Sequence, residues 1–291
     1  MVTYTPTLVE GRALVDKFVN YKLGKNHYTI ETAKLYRYAL TKFVADTGIN
    51  IESVTPDILE RYERQWKVSP ATKNTLTKAI RALQVWAGQR GTHIHGVFEK
   101  HRHEIIKQPI PPLPKIRRFL DAIQEQRTPK ATRDAAMISF MLDTGCRRGE
   151  VVRLKITDLE LSENAAHIQG KGLRQREAYF TDSTAEIITE YLDTRTDLHP
   201  WAFVGIDGFK QTADARLRPD TISRLFENIS QRIGEIVKPH DLRRYRITQN
   251  LSNGMDIHKA AAVFGASVHT IMMHYYDEIR DGKREAYLLT V

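Results

Sequence analysis

The stretch HRHEIIKQPIPPLPK, residues 101–115, decides how this chain is organised. Pro109, Pro111, Pro112 and Pro114 are four prolines within six residues. Proline has no amide hydrogen for a helix and pushes the residue before it toward extended backbone, so an interdomain linker is expected at 101–114. On one side, residues 1–100 predict a helical domain; on the other, residues 115–291 predict a second domain. The length of 291 residues suits two domains of ordinary size.

N-terminal to the linker, Leu8, Leu14, Val15, Phe18 and Val19 recur at helical spacing, as do Leu35, Tyr38, Leu40, Phe43 and Val44. Thr55-Pro56 and Ser69-Pro70 each place a side-chain acceptor before a first-turn proline, which predicts two more helix starts. The expectation is four helices between residues 7 and 90. Lys34, Arg37, Lys42, Lys73, Lys78 and Arg81 fall on their outer faces as a candidate phosphate-contacting surface. Taken singly, each reads equally as a solvated charge.

C-terminal to the linker, the helical period resumes through IRRFLDAIQ and RDAAMISFMLDTG and stops at Gly145. The short segments 158–161, 164–169 and 176–180 then predict a small antiparallel sheet with its turn at the GKG of 170–172. Ser183 and Glu186 read as a capping box, Pro219 as a helix start, and helices are expected at 240–252, 256–264 and 267–278. The fold class is therefore mainly α with a small antiparallel β-sheet. Trp66, Trp86 and the Met272-Met273 pair sit at helical positions and read as core.

Composition narrows the function classes. Lys+Arg number 44 against 35 Asp+Glu, for a net charge of +9, which admits a polyanionic partner without choosing nucleic acid over an anionic membrane. A hydrophobic content of 41% supports a packed interior, while 11 Pro and 16 Gly are too few for a fibrous or low-complexity chain. The single cysteine, Cys146, allows no internal disulfide and reads as a small buried hydrophobe in a protein of a reducing compartment. The N-terminal residues carry no basic segment followed by an apolar core, and no run reaches the roughly 18 apolar residues of a membrane span, so a cytoplasmic protein without a membrane partner is expected. His93, His95, His101, His103 and Glu104 cluster locally but fit no standard ligand spacing, and read as polar interdomain surface; no metal and no cofactor is expected.

Three stretches could carry chemistry on anions. In Lys238-Pro239-His240-Asp241-Leu242-Arg243-Arg244, a helix starting near His240 puts His240 and Arg243 on one face, and a guanidinium pairs bidentately with phosphate. In Asp143-Thr144-Gly145-Cys146-Arg147-Arg148-Gly149-Glu150, a glutamate stands three residues behind an arginine and could orient it. In Gln169-Gly170-Lys171-Gly172-Leu173-Arg174-Gln175-Arg176, Lys171 tips the expected β-turn; this is not a P-loop, because GxxxxGK[ST] is absent. Each alone reads as well as a surface charge, a helix C-cap glycine followed by an ion pair, or a plain turn.

A fourth stretch, Phe264-Gly265-Ala266-Ser267-Val268-His269-Thr270-Ile271-Met272-Met273-His274-Tyr275-Tyr276, completes a pattern. In order and approximate spacing, TGCRRGE, GKGLRQR, HDLRR and this segment resemble the signature boxes of the tyrosine recombinase, or phage integrase, family. The resemblance covers residues 115–291, and the N-terminal domain is similar in size and place to that family's helical core-binding domain. It implies that Arg147, Lys171, His240, Arg243 and Tyr275 are catalytic, with Glu150 as the acidic residue of the first box. Tyr275 lies ten residues after Gly265, the family's interval to its nucleophile, and Tyr276 is the competing assignment. The family usually carries His or Trp directly after that glycine, where this chain has Ala266. His269, on the same helical face, is the candidate replacement, ahead of His274.

The resemblance implies a site-specific recombinase with a mixed catalytic domain, cleaving and rejoining duplex DNA through a 3′-phosphotyrosyl intermediate without metal or ATP. It further implies a homotetramer on synapsed recombination sites, two domains clamped around DNA, and room for accessory DNA-bending proteins. The 15 residues after Tyr276 become a candidate subunit-swapping tail with Tyr287, Leu288 and Leu289 as anchors, or a disordered end. Two other readings stay open: a type IB-like DNA topoisomerase, and a non-catalytic DNA-binding protein on a decayed recombinase scaffold, which Ala266 favours.

Overall fold

The computed structural model describes residues 6–88, 110–125, 128–170, 175–206, 215–273 and 275. The chain divides into two compact units, Met1–Ile106 and Lys107–Val291.

The first unit contains α1 (Pro6–Gly24), α2 (Ile30–Thr47), α3 (Pro56–Gln65) and α4 (Pro70–Gly88), with a 3-10 turn at Ile51–Ser53. Local sequence sets these limits. Thr55 Oγ1 accepts the Ile58 N–H and Ser69 Oγ accepts the Thr72 N–H, so both foreseen caps form. Gly48 closes α2 in the left-handed region (φ 66°) with its N–H on the Val44 carbonyl. α1 and α2 approach closely at Gly11, where a Cβ would stand 2.8 Å from Val44 Cγ1. Phe18, Leu40, Phe43, Leu76, Ile80 and Trp86 form the core, and Trp66 packs half-buried against it. Gln84 is buried among them because its amide donates to the carbonyls of Ile51 (3.1 Å) and Val54 (2.8 Å) at the 3-10 turn. Of the outer basic residues, Arg37 is held by Asp16 and Asn20, Lys42 by Asp46, and Lys73 by the Glu63 carbonyl; Lys34, Lys78 and Arg81 stand exposed.

The second unit runs α5 (Leu113–Gln124), α6 (Pro129–Thr144), the single-turn α7 (Arg148–Val151), then β1 (Leu159–Glu160), β2 (Ala165–Gln169) and β3 (Gln175–Tyr179). After the sheet come α8 (Asp182–Asp193), α9 (Pro219–Ile233), α10 (Pro239–Ser252), α11 (Ile257–Val263) and a helical stretch at 268–273. This is the mainly helical fold with a small antiparallel sheet that the sequence predicts. Strand order is β1-β2-β3, with Ala166 opposite Ala178 and Ile168 opposite Arg176. Because side chains alternate along a strand, Arg176 shares the inward face with buried Ala178. α6 runs through the core, its Ala136, Ile138, Phe140 and Met141 packed with Phe119, Tyr191, Phe203, Phe226 and Leu242. Each such large side chain stabilises the fold by roughly 1.5–3 kcal/mol on burial. One buried ion pair, Arg133–Asp134 at 2.5 Å, is satisfied further by Arg133 Nη1 on the Val204 carbonyl at 3.0 Å.

Two sequence expectations are corrected. The Ser183–Glu186 capping box does not start α8; Thr181 is the N-cap, its Oγ1 accepting the Thr184 N–H at 3.4 Å. The reason is tertiary: Asp143 Oδ2, at the end of α6, accepts from the Thr181 N–H (2.9 Å) and from the Thr181 and Thr184 hydroxyls (2.7 Å each). Met272 and Met273 are exposed rather than core, because the 268–273 stretch turns inward the face that carries Ile271 and, four residues on, Tyr275. The turn at 171–174, most of the linker (101–109), the His93–Glu104 cluster and the tail beyond Tyr275 lie outside the described residues. Among the described residues, no helix is long and apolar enough to cross a membrane, and no group of three or more His, Cys, Asp or Glu is placed to hold a metal ion.

Candidate active site

Gly145 ends α6 in the left-handed region (φ 60°), a conformation open to glycine at little cost, and this turns Cys146 and Arg147 out of the helix line. Arg147 becomes the N-cap of α7. Glu150, one turn into α7 and buried, reaches back: its Oε2 accepts the Arg147 backbone N–H at 2.9 Å, and its Oε1 accepts Arg147 Nη1 at 3.0 Å. The glutamate that the sequence placed behind the arginine does hold it.

From α10, Arg243 enters the same region almost fully buried, donating from Nη1 to the Gly145 carbonyl (2.7 Å) and from Nη2 to the Phe264 carbonyl (2.6 Å). Arg147 donates from both terminal nitrogens to the next carbonyl, Gly265, at 3.2 Å each. Both guanidiniums are thus aimed by one short turn after α11. Gly265 occupies the left-handed region (φ 56°) there. Arg176, on β3, closes the arrangement from behind: Nη2 donates to Glu150 Oε2 (2.9 Å) and Cys146 Sγ (3.3 Å), and Nη1 to the Val263 carbonyl (2.9 Å).

Electrostatics tie these groups together. Burial alone would raise the pKa of Glu150, but the Arg176 charge, the Arg147 N–H, and the charges of Arg147 and Arg243 outweigh it and hold the carboxyl below the usual carboxylate range. Desolvation, then repulsion by Arg147, brings Arg243 down to about 10, still far above neutrality, so it remains a cation. Glu150 and Tyr275 oppose that fall, which places the Tyr275 phenol within electrostatic reach of Arg243. His240, in the first turn of α10, is exposed as a residue, yet partial desolvation of its ring and the charges of Arg243 and Arg244 push its pKa below that of free imidazole. It is neutral at pH 7 and able to accept a proton. Burial pushes the Cys146 thiol up against the pull of Arg176, so it stays protonated, the buried small side chain that was expected.

The structure brings together Arg147, His240, Arg243 and Tyr275. Tyr275 itself is buried with Ile247, Leu251, Ala260, Phe264 and Ile271, a cluster against which Ala266 packs. Lys171 and Tyr276 lie outside the described residues. His269, the candidate replacement at the Ala266 position, stands exposed. Arg176 was quoted in the sequence but given no role; its inward register with Ala178 was the available signal.

Comparison with known proteins gives the family. The phage integrase family model matches residues 114–280. The tyrosine recombinase XerC of Mycobacterium tuberculosis is 23% identical over 274 residues, covering 88% of this chain and 91% of that protein. XerA of Saccharolobus solfataricus is 27% identical over 186 residues, but that match covers only 61% of this chain and 60% of the relative. Among solved structures, the XerH site-specific recombinase bound to its palindromic difH substrate superposes with a TM-score of 0.74 at 17% identity, covering 99% of this chain and 97% of the other. The Tn1549 transposon integrase in complex with transposon right end DNA gives a TM-score of 0.71 at 15% identity, covering 96% and 99%. At such identities these two likenesses speak for the fold. With the family model matching more than half of its residues, the chain belongs to the phage integrase family of tyrosine recombinases, which are DNA strand-transfer enzymes.

Proposed function

We propose that the protein is a site-specific recombinase that cleaves and rejoins duplex DNA through a 3′-phosphotyrosyl intermediate, with Tyr275 as nucleophile. The observation that carries this reading is that two guanidiniums are braced on the turn after α11, with a neutral imidazole and a tyrosine within their electrostatic reach. A phenol with a pKa near 10 is a poor nucleophile at pH 7 and needs a base and a positive surround. His240 takes the Tyr275 proton as the phenolic oxygen bonds to phosphorus. Arg147 and Arg243 neutralise charge growing on the non-bridging oxygens, and Lys171 gives a proton to the departing 5′ oxygen. The phosphotyrosyl bond retains the energy of the broken phosphodiester, so attack by a 5′ hydroxyl restores the DNA without ATP or a metal ion.

Duplex DNA as partner is supported by the net charge of +9 and the exposed Lys34, Lys78 and Arg81 of the first unit. The XerH and Tn1549 structures, both described as DNA complexes, support it by analogy. Exchange between two sites calls for a homotetramer on synapsed DNA. Ala266 favours the rival, non-catalytic reading, in which Tyr275→Phe changes nothing.

The test is a suicide DNA substrate nicked beside the crossover, so that the cleaved 5′ fragment diffuses away, incubated in EDTA with wild type, Tyr275→Phe and Tyr276→Phe. A covalent adduct abolished only by Tyr275→Phe is the expected result. No adduct on DNA that carries the exchange site and is bound specifically overturns the proposal.

A further inference from the structure

Arg176 lies outside the catalytic set that the family resemblance supplies, yet it is the side chain that joins two of the supports of the two active-site arginines. One support is Glu150, whose Oε2 takes Arg176 Nη2 while its Oε1 takes Arg147 Nη1. The other is the end of α11 and the turn that follows, where three successive carbonyls accept from three arginines: Val263 from Arg176, Phe264 from Arg243, and Gly265 from Arg147. The Arg176 side chain is 9% exposed, so it cannot be a solvent-facing charge. The turn is built around it as well: a Cβ on Gly265 would stand 3.1 Å from Arg176 Cδ and Nε.

From this bridging, and resting on the catalytic roles assigned above, we infer that Arg176 is a positioning residue of the strand-transfer reaction. It acts through Arg147 and Arg243, fixing where the two guanidiniums meet the phosphate, and does not itself touch DNA. A planar guanidinium presents its donors in a rigid fork that spans Glu150 and the Val263 carbonyl, whereas an ammonium is a compact point charge on a flexible stem. Groups behind a reacting residue set its geometry, and a displacement of about 1 Å costs on the order of 100-fold in rate.

The experiment measures covalent adduct formation on the nicked suicide substrate in two forms, one with an ordinary phosphodiester at the crossover and one with a neutral methylphosphonate there. Charge neutralisation by the arginines matters far more for the first, whose two non-bridging oxygens already carry a charge in the ground state. Arg176→Met is expected to slow adduct formation roughly 100-fold on the phosphodiester and roughly tenfold or less on the methylphosphonate, with DNA affinity unchanged. Arg176→Lys should fall between Arg176→Met and wild type. Both rates come from one preparation, so any misfolded fraction cancels in their ratio, and Arg176→Lys, which keeps a charge for Glu150, carries the comparison if Arg176→Met does not fold. Equal slowing on both substrates would assign Arg176 a merely structural role and overturn the inference, as would no slowing at all. Arg147→Ala and Tyr275→Phe run alongside: if neither impairs cleavage of the phosphodiester, the catalytic reading itself has failed, whatever Arg176 does.

Discussion

Replacing Glu150 by Gln tests the site with almost no change of shape. Glu150 accepts three hydrogen bonds: Arg147 N–H and Arg176 Nη2 on Oε2, and Arg147 Nη1 on Oε1. An amide keeps only one acceptor oxygen. Its better orientation leaves the two bonds on the Oε2 side and sets an NH2 against Arg147 Nη1, donor against donor. The variant also leaves Arg176, buried with it, without its counter-charge. Removing one partner of a buried pair costs about 3–5 kcal/mol, and with two bonds retained the lower end applies, about 3 kcal/mol. For a unit of this size that lowers the melting temperature by about 6–12 °C. The sign with pH follows from the lowered pKa of Glu150. Its contribution is complete above the unfolded carboxyl value of about 4.3 and is lost as pH falls through the folded value, so wild type and Glu150→Gln should converge in acid. Differential scanning calorimetry at pH 7 and in an acid series measures both, and adduct formation on the suicide substrate should fall as Arg147 is released. A Glu150→Gln protein melting within about 2 °C of wild type would refute the reasoning, since that is under 1 kcal/mol.

The depressed pKa of His240 means that the proposed base loses its neutral form at a lower pH than an ordinary imidazole, so the acid limb of single-turnover cleavage should lie below the usual histidine range. His240→Asn should lower the plateau and remove that acid limb; a limb unchanged in His240→Asn would remove His240 from the role of base. Gly265→Ala forces a Cβ into the left-handed region and to within 3.1 Å of Arg176, so thermal melts should show a loss of at least about 1–2 kcal/mol, with cleavage falling more than DNA affinity. Arg133→Ala strips the buried Arg133–Asp134 pair, away from the catalytic groups. Denaturant unfolding should register about 3–5 kcal/mol while the cleavage rate per folded molecule stays at the wild-type value.

Local signals in the sequence survive into the structure wherever a few neighbouring residues determine the outcome. Thr55 and Ser69 cap their helices as the Thr-Pro and Ser-Pro pairs foretold, and Gly145 ends α6 where the apolar period stops. The Arg147–Glu150 pairing was equally visible, being three residues long. What escaped depends on distant partners. Thr181 rather than Ser183 starts α8 because Asp143, 38 residues away, anchors it. Met272 and Met273 look like core by type, but the 268–273 stretch has one face to bury and gives it to Ile271 and Tyr275. Arg176 reads as a strand-end charge until the sheet register puts it on the inward side and α11 supplies the carbonyl it holds. The residues proposed as catalytic were named through order and spacing, each box alone reading as well as a surface charge or a turn. The bracing that aims them, through the carbonyls of Val263, Phe264 and Gly265, is backbone geometry that no residue type announces.

The most direct measurement is chemical. The adduct trapped on the suicide substrate is digested with protease and nuclease, and the peptide carrying the residual nucleotide is sequenced by tandem mass spectrometry. The account predicts a phosphodiester-linked nucleotide on the Tyr275 oxygen. A nucleotide on Tyr276, or specifically bound crossover DNA that yields no modified peptide at all, would contradict it.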